Sequence, residues 1–263
     1  MNKPCPLDEL ELDVVFQPIF RLSNRSLLGY EALGRVRPQA FGAPRGPAAL
    51  LERAQEGGYL LDLDRRWRRL AIETIARTPV PEDVLFFLNV DTRVLDDSRF
   101  VAGYTDELLC EHGISPDRIV FELTERDPLL RDARVRQLIR HYAEQGFHIA
   151  LDDLGTQYAS LDALVELQPD IAKLDRSLVR GIGDSTVRKH LMQALTFFAQ
   201  RVEILLVAEG IETQDELAAL QQAGVEYGQG FLLGKPLPLR PSPAHTDLRG
   251  RAALDARWQT SVA

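Results

Sequence analysis

The chain has 263 residues, 45% of them hydrophobic and 27% charged, with 31 basic against 39 acidic side chains. That composition excludes a disordered or fibrous chain, and the net charge of −8 argues against a broad basic face for duplex nucleic acid. The longest apolar runs, such as 204–208, fall far short of the ~18 residues that suggest a membrane span. The start, MNKPCPLDELELD, turns acidic at once and lacks the apolar segment of a signal peptide, so no membrane association is expected. Cys5 and Cys110, far apart, form neither a disulfide framework nor a zinc site, and a reduced cytoplasmic setting is expected.

In chain order, eight short β-branched or apolar runs recur: VVFQPIF (14–20), LLGYEALGRV (27–36), VLFFLNV (84–90), RIVFELTE (118–125), HIALDDLG (148–155), IAKLD (171–175), EILLVAEG (203–210) and YGQGFLLG (227–234). The first two are joined by SNRS (23–26), too short for a crossover helix, and read as a hairpin. The others alternate with helical patterns over 46–76, 128–145, 185–200 and 214–223, and Thr213 followed by Glu216 marks one helix start with a capping box. Several runs are nearly continuous in apolar residues, as strands covered on both faces are. The alternation predicts an α/β fold, a TIM-like (β/α) barrel with one antiparallel strand near the N-terminus. An open doubly wound sheet would more often carry a Gly-rich phosphate loop after an early strand, and no such string or P-loop is present. Residues 1–240 read as a single barrel domain, and 241–263 as a C-terminal tail with a short helix over 246–258.

Polar residues recur where these runs end. Glu31 lies in the second run, Asn89 ends the third, Glu122 and Glu125 close the fourth, and Asp152 and Asp153 close the fifth. Lys173 and Asp175 sit in the sixth, Glu209 ends the seventh with Glu212 just beyond, and Gln229 is in the eighth. In a parallel barrel the carboxyl ends open on one face, where such proteins build their sites. Carboxylates gathered there would repel one another, and cations would relieve that. Oxygen ligands with one or two amides suit Mg²⁺ or Mn²⁺, and a dense set could hold two ions, an arrangement that serves phosphoester hydrolysis. Each residue also has an ordinary role open to it: Asp153 could shape a turn, Lys173 could be a plain ion-pair partner, Asn89 could bridge backbone groups, and Glu212 could complement a helix dipole. What favours the metal reading is recurrence at successive strand ends.

The strings FQPIF (16–20), YEALGR (30–35), FFLNVD (86–91), FELTE (121–125), IALDDLGT (149–156), AKLDRSLV (172–179), VAEGIET (207–213) and GQGFLLGKPLP (228–238) resemble, in order, the motifs of the EAL domain family, phosphodiesterases that cleave cyclic di-GMP. The resemblance spans roughly 14–240. It implies that Glu31, Asn89, Glu122 and Asp152 ligate one metal, that Asp152 and Asp153 sit at or between two metals, and that Glu209 joins this shell. It implies catalytic parts for Glu31, for Lys173, which would orient the attacking water, and for Glu125, which would steady the loop after the fifth strand. Arg35 would contact a substrate phosphate, and Gln17, Glu212 and Gln229 would line the nucleotide. It further implies hydrolysis of cyclic di-GMP to linear pGpG with two Mg²⁺ or Mn²⁺ ions, and a homodimer paired through helices near that loop. Regulatory input would come from dimerisation, a separate protein or ligand supply.

The loop after the fifth strand departs from the family. DDFGTGYSSL is usual there, whereas this chain reads DDLGTQYASL, with Leu154, Gln157 and Ala159 altered. Glycine adopts positive φ freely and glutamine does not. An active phosphodiesterase therefore competes with a catalytically weak or inactive cyclic di-GMP receptor or scaffold. A protein-binding module without nucleotide would have no reason to keep these polar groups.

Overall fold

The computed structural model describes residues 7, 10–37, 46–124, 133–155, 161–241, 250 and 252–254. Strand β1 (Glu11–Arg21) and strand β2 (Leu27–Arg37) form the expected hairpin, in antiparallel register from Glu11 opposite Arg37 to Phe20 opposite Leu27. Strands β3 (Leu85–Val90), β4 (Ile119–Thr124), β5 (His148–Leu154), β6 (Ile171–Leu174), β7 (Leu205–Ala208) and β8 (Tyr227–Gly228) follow in parallel, and β8 closes on β1. The result is a closed barrel in sequence order, with β1 antiparallel to both neighbours. Helices α1 (Pro47–Gly57), α2 (Leu60–Arg77), α3 (Tyr104–His112), α4 (Ala133–Glu144), α5 (Leu161–Leu167), α6 (Arg176–Val179), α7 (Thr186–Arg201) and α8 (Gln214–Gln222) lie in the connections.

The near-continuous apolar strands have the cause expected of them. Outward residues such as Phe86, Leu88, Phe121, Ile149 and Leu206 pack beneath the helices, while Ile19, Phe87, Val120, Ala150, Ile171, Val207 and Tyr227 fill the barrel interior. Leu254, from the short helical stretch 252–254, is buried in that interior set, within the span expected to be helical. The capping box at α8 is present: Thr213 Oγ1 accepts from the Glu216 amide at 3.2 Å, and the Glu216 carboxylate accepts from the Thr213 amide at 3.1 Å.

Two local expectations change. The helical pattern over 46–76 is two helices, because Gly58, at φ 70°, ends α1 in the left-handed conformation. The eighth run is a strand only at Tyr227–Gly228, after which the chain crosses Ile211. At Gly230 a Cβ would fall 2.2 Å from the backbone nitrogen of Ile211, which leaves no room for a side chain. Among the described residues no helix is long and apolar enough to cross a membrane.

Candidate active site

The strand period of two places the site. Two residues beyond the inward Phe87, Val120, Ala150, Ile171, Val207 and Tyr227 stand Asn89, Glu122, Asp152, Lys173, Glu209 and Gln229. β1 runs the other way, so its polar residue comes first: Gln17 precedes the inward Ile19 and lies opposite Glu31 of β2. Each strand thus lifts one polar side chain onto an apolar floor at the carboxyl mouth of the barrel.

Lys173 is the hub, with no exposed surface. Its Nζ lies 2.6 Å from Glu122, 2.8 Å from Glu209, 3.3 Å from Asp152 and 3.4 Å from Glu31. Two amides complete the net: Asn89 donates to Glu31 at 3.3 Å, and Gln229 donates to Glu31 at 2.7 Å and to Glu209 at 3.0 Å. Burial pushes the Glu31 carboxyl up, but the Lys173 ammonium and the bonds from Gln229 and Asn89 outweigh it and hold Glu31 below its ordinary value. Burial and the charge of Glu31 drive Glu122 well above the carboxylate range, Lys173 notwithstanding. Burial likewise raises Glu209 to about 8, although Lys173 opposes it. Burial disfavours the lysine cation, yet Asp152, Glu122, Glu209 and Glu31 more than reverse that, so Lys173 is a firmly held ammonium and a hydrogen-bond donor rather than a base.

Asp152 and Asp153 are adjacent, and on a regular strand they would face opposite sides. The β5–β6 register is irregular between Leu151 and Leu154, and Asp153 takes φ 62°. A bulge of this kind redirects side chains. Here Asp152, Asp153 and Glu209 each bring a carboxylate oxygen within 4.8 Å of the others. Glu122 Oε1 and Asp152 Oδ1 are buried and meet Lys173 Nζ as ion pairs, while Glu122 Oε2 is buried without a hydrogen bond. One ammonium faces Glu31, Glu122, Asp152 and Glu209, with Asp153 adjoining, so negative charge is in excess. This donor set fits hard divalent cations held by Asp152, Asp153 and Glu209 together with Glu31, Asn89 and Glu122.

The other expected residues sit around this core. Gln17 donates to the Gly234 carbonyl at 3.1 Å and fastens the segment after β8 to the mouth. Arg35 and Glu31 share a cavity of about 280 Å³ with Asn89, Asp91 and, from α2, Asp64, Trp67, Arg68 and Ala71. Burial lowers the Arg35 pKa, and Glu31 offsets part of that. Glu212 is not part of the Lys173 cluster; it pairs with Arg176 at 2.6 Å on the exposed rim. Glu125, Gln157 and Ala159 lie outside the described residues. Sequence reasoning overlooked Asp64, Trp67 and Arg68. Arg68 is buried, donating to Asp64 at 2.5 Å and to Thr105 at 2.8 Å. Its only sequence signal is an acid and a base four apart in a charged helix, and exposed helices carry many such pairs.

A closed (β/α) barrel whose mouth holds a buried lysine among carboxylates defines the class: a barrel protein with a carboxylate-rich site at its strand ends. The EAL domain family model matches residues 7–236, and the chain belongs to that family. It is 32% identical over 235 residues to the probable cyclic di-GMP phosphodiesterase PdeB of Escherichia coli strain K12, an alignment covering 88% of this chain and 44% of PdeB. The chain thus spans less than half the length of that relative. A standalone versatile EAL protein from Vibrio cholerae O395, solved in its c-di-GMP bound form, is 26% identical with a TM-score of 0.75, covering 90% of this chain and 96% of that one. BlrP1 of Klebsiella pneumoniae, solved as a manganese and cy-diGMP complex, is 25% identical with a TM-score of 0.76, covering 86% of this chain and 56% of that one.

Proposed function

We propose that this protein is a metal-dependent phosphodiesterase that hydrolyses cyclic di-GMP to linear pGpG, using two Mg²⁺ or Mn²⁺ ions. The observation that carries the reading is the single polar layer at the mouth, where Asp152, Asp153 and Glu209 converge beside Glu31, Asn89 and Glu122. Divalent cations bound there would supply an activated nucleophile and neutralise charge on the phosphate. Lys173, kept protonated by its carboxylates, donates to the attacking water and holds it toward phosphorus. Gln229 and Asn89 hold Glu31 in its ligating orientation. Arg35 meets a substrate phosphate from the adjoining cavity, Gln17 and Gln229 line the nucleotide, Glu212 borders it from the rim, and Glu125 steadies the loop after β5. Water adds to one phosphorus, the P–O bond to a ribose 3′ oxygen breaks, and that oxygen takes a proton.

The same reading places the protein in the cytoplasm as a homodimer whose input is a separate regulatory protein or the supply of nucleotide. Exposed Val165 on α5 and Val187 and Phe197 on α7 support pairing; sedimentation as a monomer at working concentration would remove it. The altered loop supports the receptor alternative, in which cyclic di-GMP binds and is not cleaved.

Incubation with cyclic di-GMP and Mg²⁺ or Mn²⁺, followed by chromatography, tests the proposal with Glu31→Ala as control. Linear dinucleotide from the wild type alone is the expected result. Binding without product with either ion overturns hydrolysis and leaves the receptor.

A further inference from the structure

We infer that Trp67 is a positioning residue for Arg35, holding the end of β2 so that the guanidinium stays presented to the cavity beside Glu31. The inference rests on the proposed reading in one respect: that Arg35 meets a substrate phosphate.

β3 pairs with β2 only from Gly29 to Ala32. Beyond Ala32 the strand keeps β1 on one edge, with Val14 opposite Gly34 and Asp13 opposite Arg35, and has no strand on the other. A strand end held on one side frays readily. Trp67 lies over the face of this end that Gly34 presents. Its indole Nε1 donates to the Arg35 carbonyl at 3.2 Å, a second tie on a main-chain acceptor that faces β1. Its ring lies so close to Gly34 that a Cβ there would fall 2.6 Å from Cδ2 and Cε2, so the glycine is what lets the indole lie on the strand.

The guanidinium depends on the same main chain. Among the described residues, the Arg35 guanidinium makes one hydrogen bond, from Nη1 to the Gly34 carbonyl at 2.9 Å. Its head group is therefore folded onto the backbone that Trp67 clamps, a half-buried cation kept for an anion. The clamp is itself anchored: one residue further along α2, Arg68 is buried against Asp64 and Thr105, which fixes the rotation of the helix and hence the aim of Trp67.

A double-mutant cycle tests this with the full chain: wild type, Trp67→Phe, Arg35→Ala and the double variant, assayed with cyclic di-GMP and Mn²⁺. Phe keeps the ring and removes the donor. The expected result is a KM raised roughly threefold to tenfold in Trp67→Phe, the span of one ordinary hydrogen bond, with kcat within about twofold. Arg35→Ala raises KM more, and adding Trp67→Phe to it changes nothing further. Gly34→Ala, which presses a methyl on the indole, reproduces the Trp67→Phe effect. A Trp67→Phe penalty of equal size in the Arg35→Ala background overturns the inference, because a merely structural residue would act without Arg35. An unchanged KM in Trp67→Phe overturns it as well. Measuring the same cycle as Kd for cyclic di-GMP by calorimetry with Ca²⁺ separates it from turnover. Absence of product sinks the phosphodiesterase reading alone, whereas full affinity in Arg35→Ala sinks the phosphate role of Arg35.

Discussion

Replacing Lys173 by methionine keeps the aliphatic stem and removes the one ammonium facing Glu31, Glu122, Asp152 and Glu209. With contacts from 2.6 to 3.4 Å, each attraction is gross about 5–6 kcal/mol at an effective dielectric near 20. The carboxylates escape most of that by taking up protons, so the net loss follows the pattern of a broken buried ion pair, about 3–5 kcal/mol. In a domain this size that lowers Tm by about 10 °C. The sign with pH is fixed by the shifts. A lysine whose folded pKa is raised stays protonated in both states below its unfolded value of about 10.4, so its own titration adds no pH dependence between pH 5 and 8. Glu122 and Glu209 are acids with raised folded pKa, the latter about 8, so they cost stability only as pH climbs above the ordinary carboxylate range. The Lys173→Met penalty, measured by thermal melts with chelator present, is therefore small at pH 5 and grows toward pH 8, and added Mn²⁺ recovers part of it. Identical melts at pH 8, or a penalty that shrinks as pH rises, would refute the electrostatic account.

Other expected outcomes test separate parts of the molecule. Glu31→Ala abolishes turnover in the chromatographic assay while leaving the circular dichroism spectrum of the barrel unchanged. Mn²⁺ affinity rises from pH 6 to 8, with up to tenfold per unit for each proton displaced; calorimetry in buffers of differing ionisation enthalpy counts those protons, and none released would contradict the raised pKa of Glu209. Arg68→Met leaves Asp64 buried without its partner and lowers stability by about 3–5 kcal/mol, whereas Asp64→Asn with Arg68→Met loses much less, as denaturant titration should show. Leu254→Ala, at a residue packed with the barrel-interior side chains, costs about 2–4 kcal/mol, and an unchanged melting temperature would mean that the C-terminal segment adds nothing to that core.

The barrel was legible because its signal is repeated: an apolar run, a polar side chain at the end, then a helix. The mouth residues were legible for the same reason, since Asn89, Glu122, Asp152, Lys173 and Glu209 each follow an inward apolar residue by two. What escaped depends on contacts between distant segments. LDLDRRWRRL in α2 reads as a charged, solvated face, and only packing of Arg68 against Thr105 and over the Phe121 ring, at 5.7 Å, makes Asp64 and Arg68 interior. The division between α1 and α2 turns on one left-handed residue, Gly58, which periodicity averages away. Leu254 looked like part of a tail because nothing in a Pro- and Arg-containing stretch announces that one leucine returns to the barrel interior.

The acidic mouth also explains why the site stands on strands. Like charges a few ångströms apart spread unless the backbone resists. Here Glu31 and Glu122 rise from strands bonded on both sides and Glu209 stands just beyond β7, over a floor that includes Phe87, Ile171 and Tyr227 without exposed surface. That floor excludes water from below, which strengthens both the repulsion and the pull of Lys173. Asp153 is the exception: its left-handed backbone at the β5 irregularity is the one place where the layer departs from strand geometry. Such a residue is strained for a non-glycine, and it adjoins the loop whose sequence is altered in this chain. Strands carry Glu31, Asn89, Glu122 and Lys173, and Gln229 stands just beyond β8. Asp153 is the acidic residue next to that loop. Any loss from the altered loop should therefore fall first on a cation that Asp153 would hold, ahead of the Lys173 network.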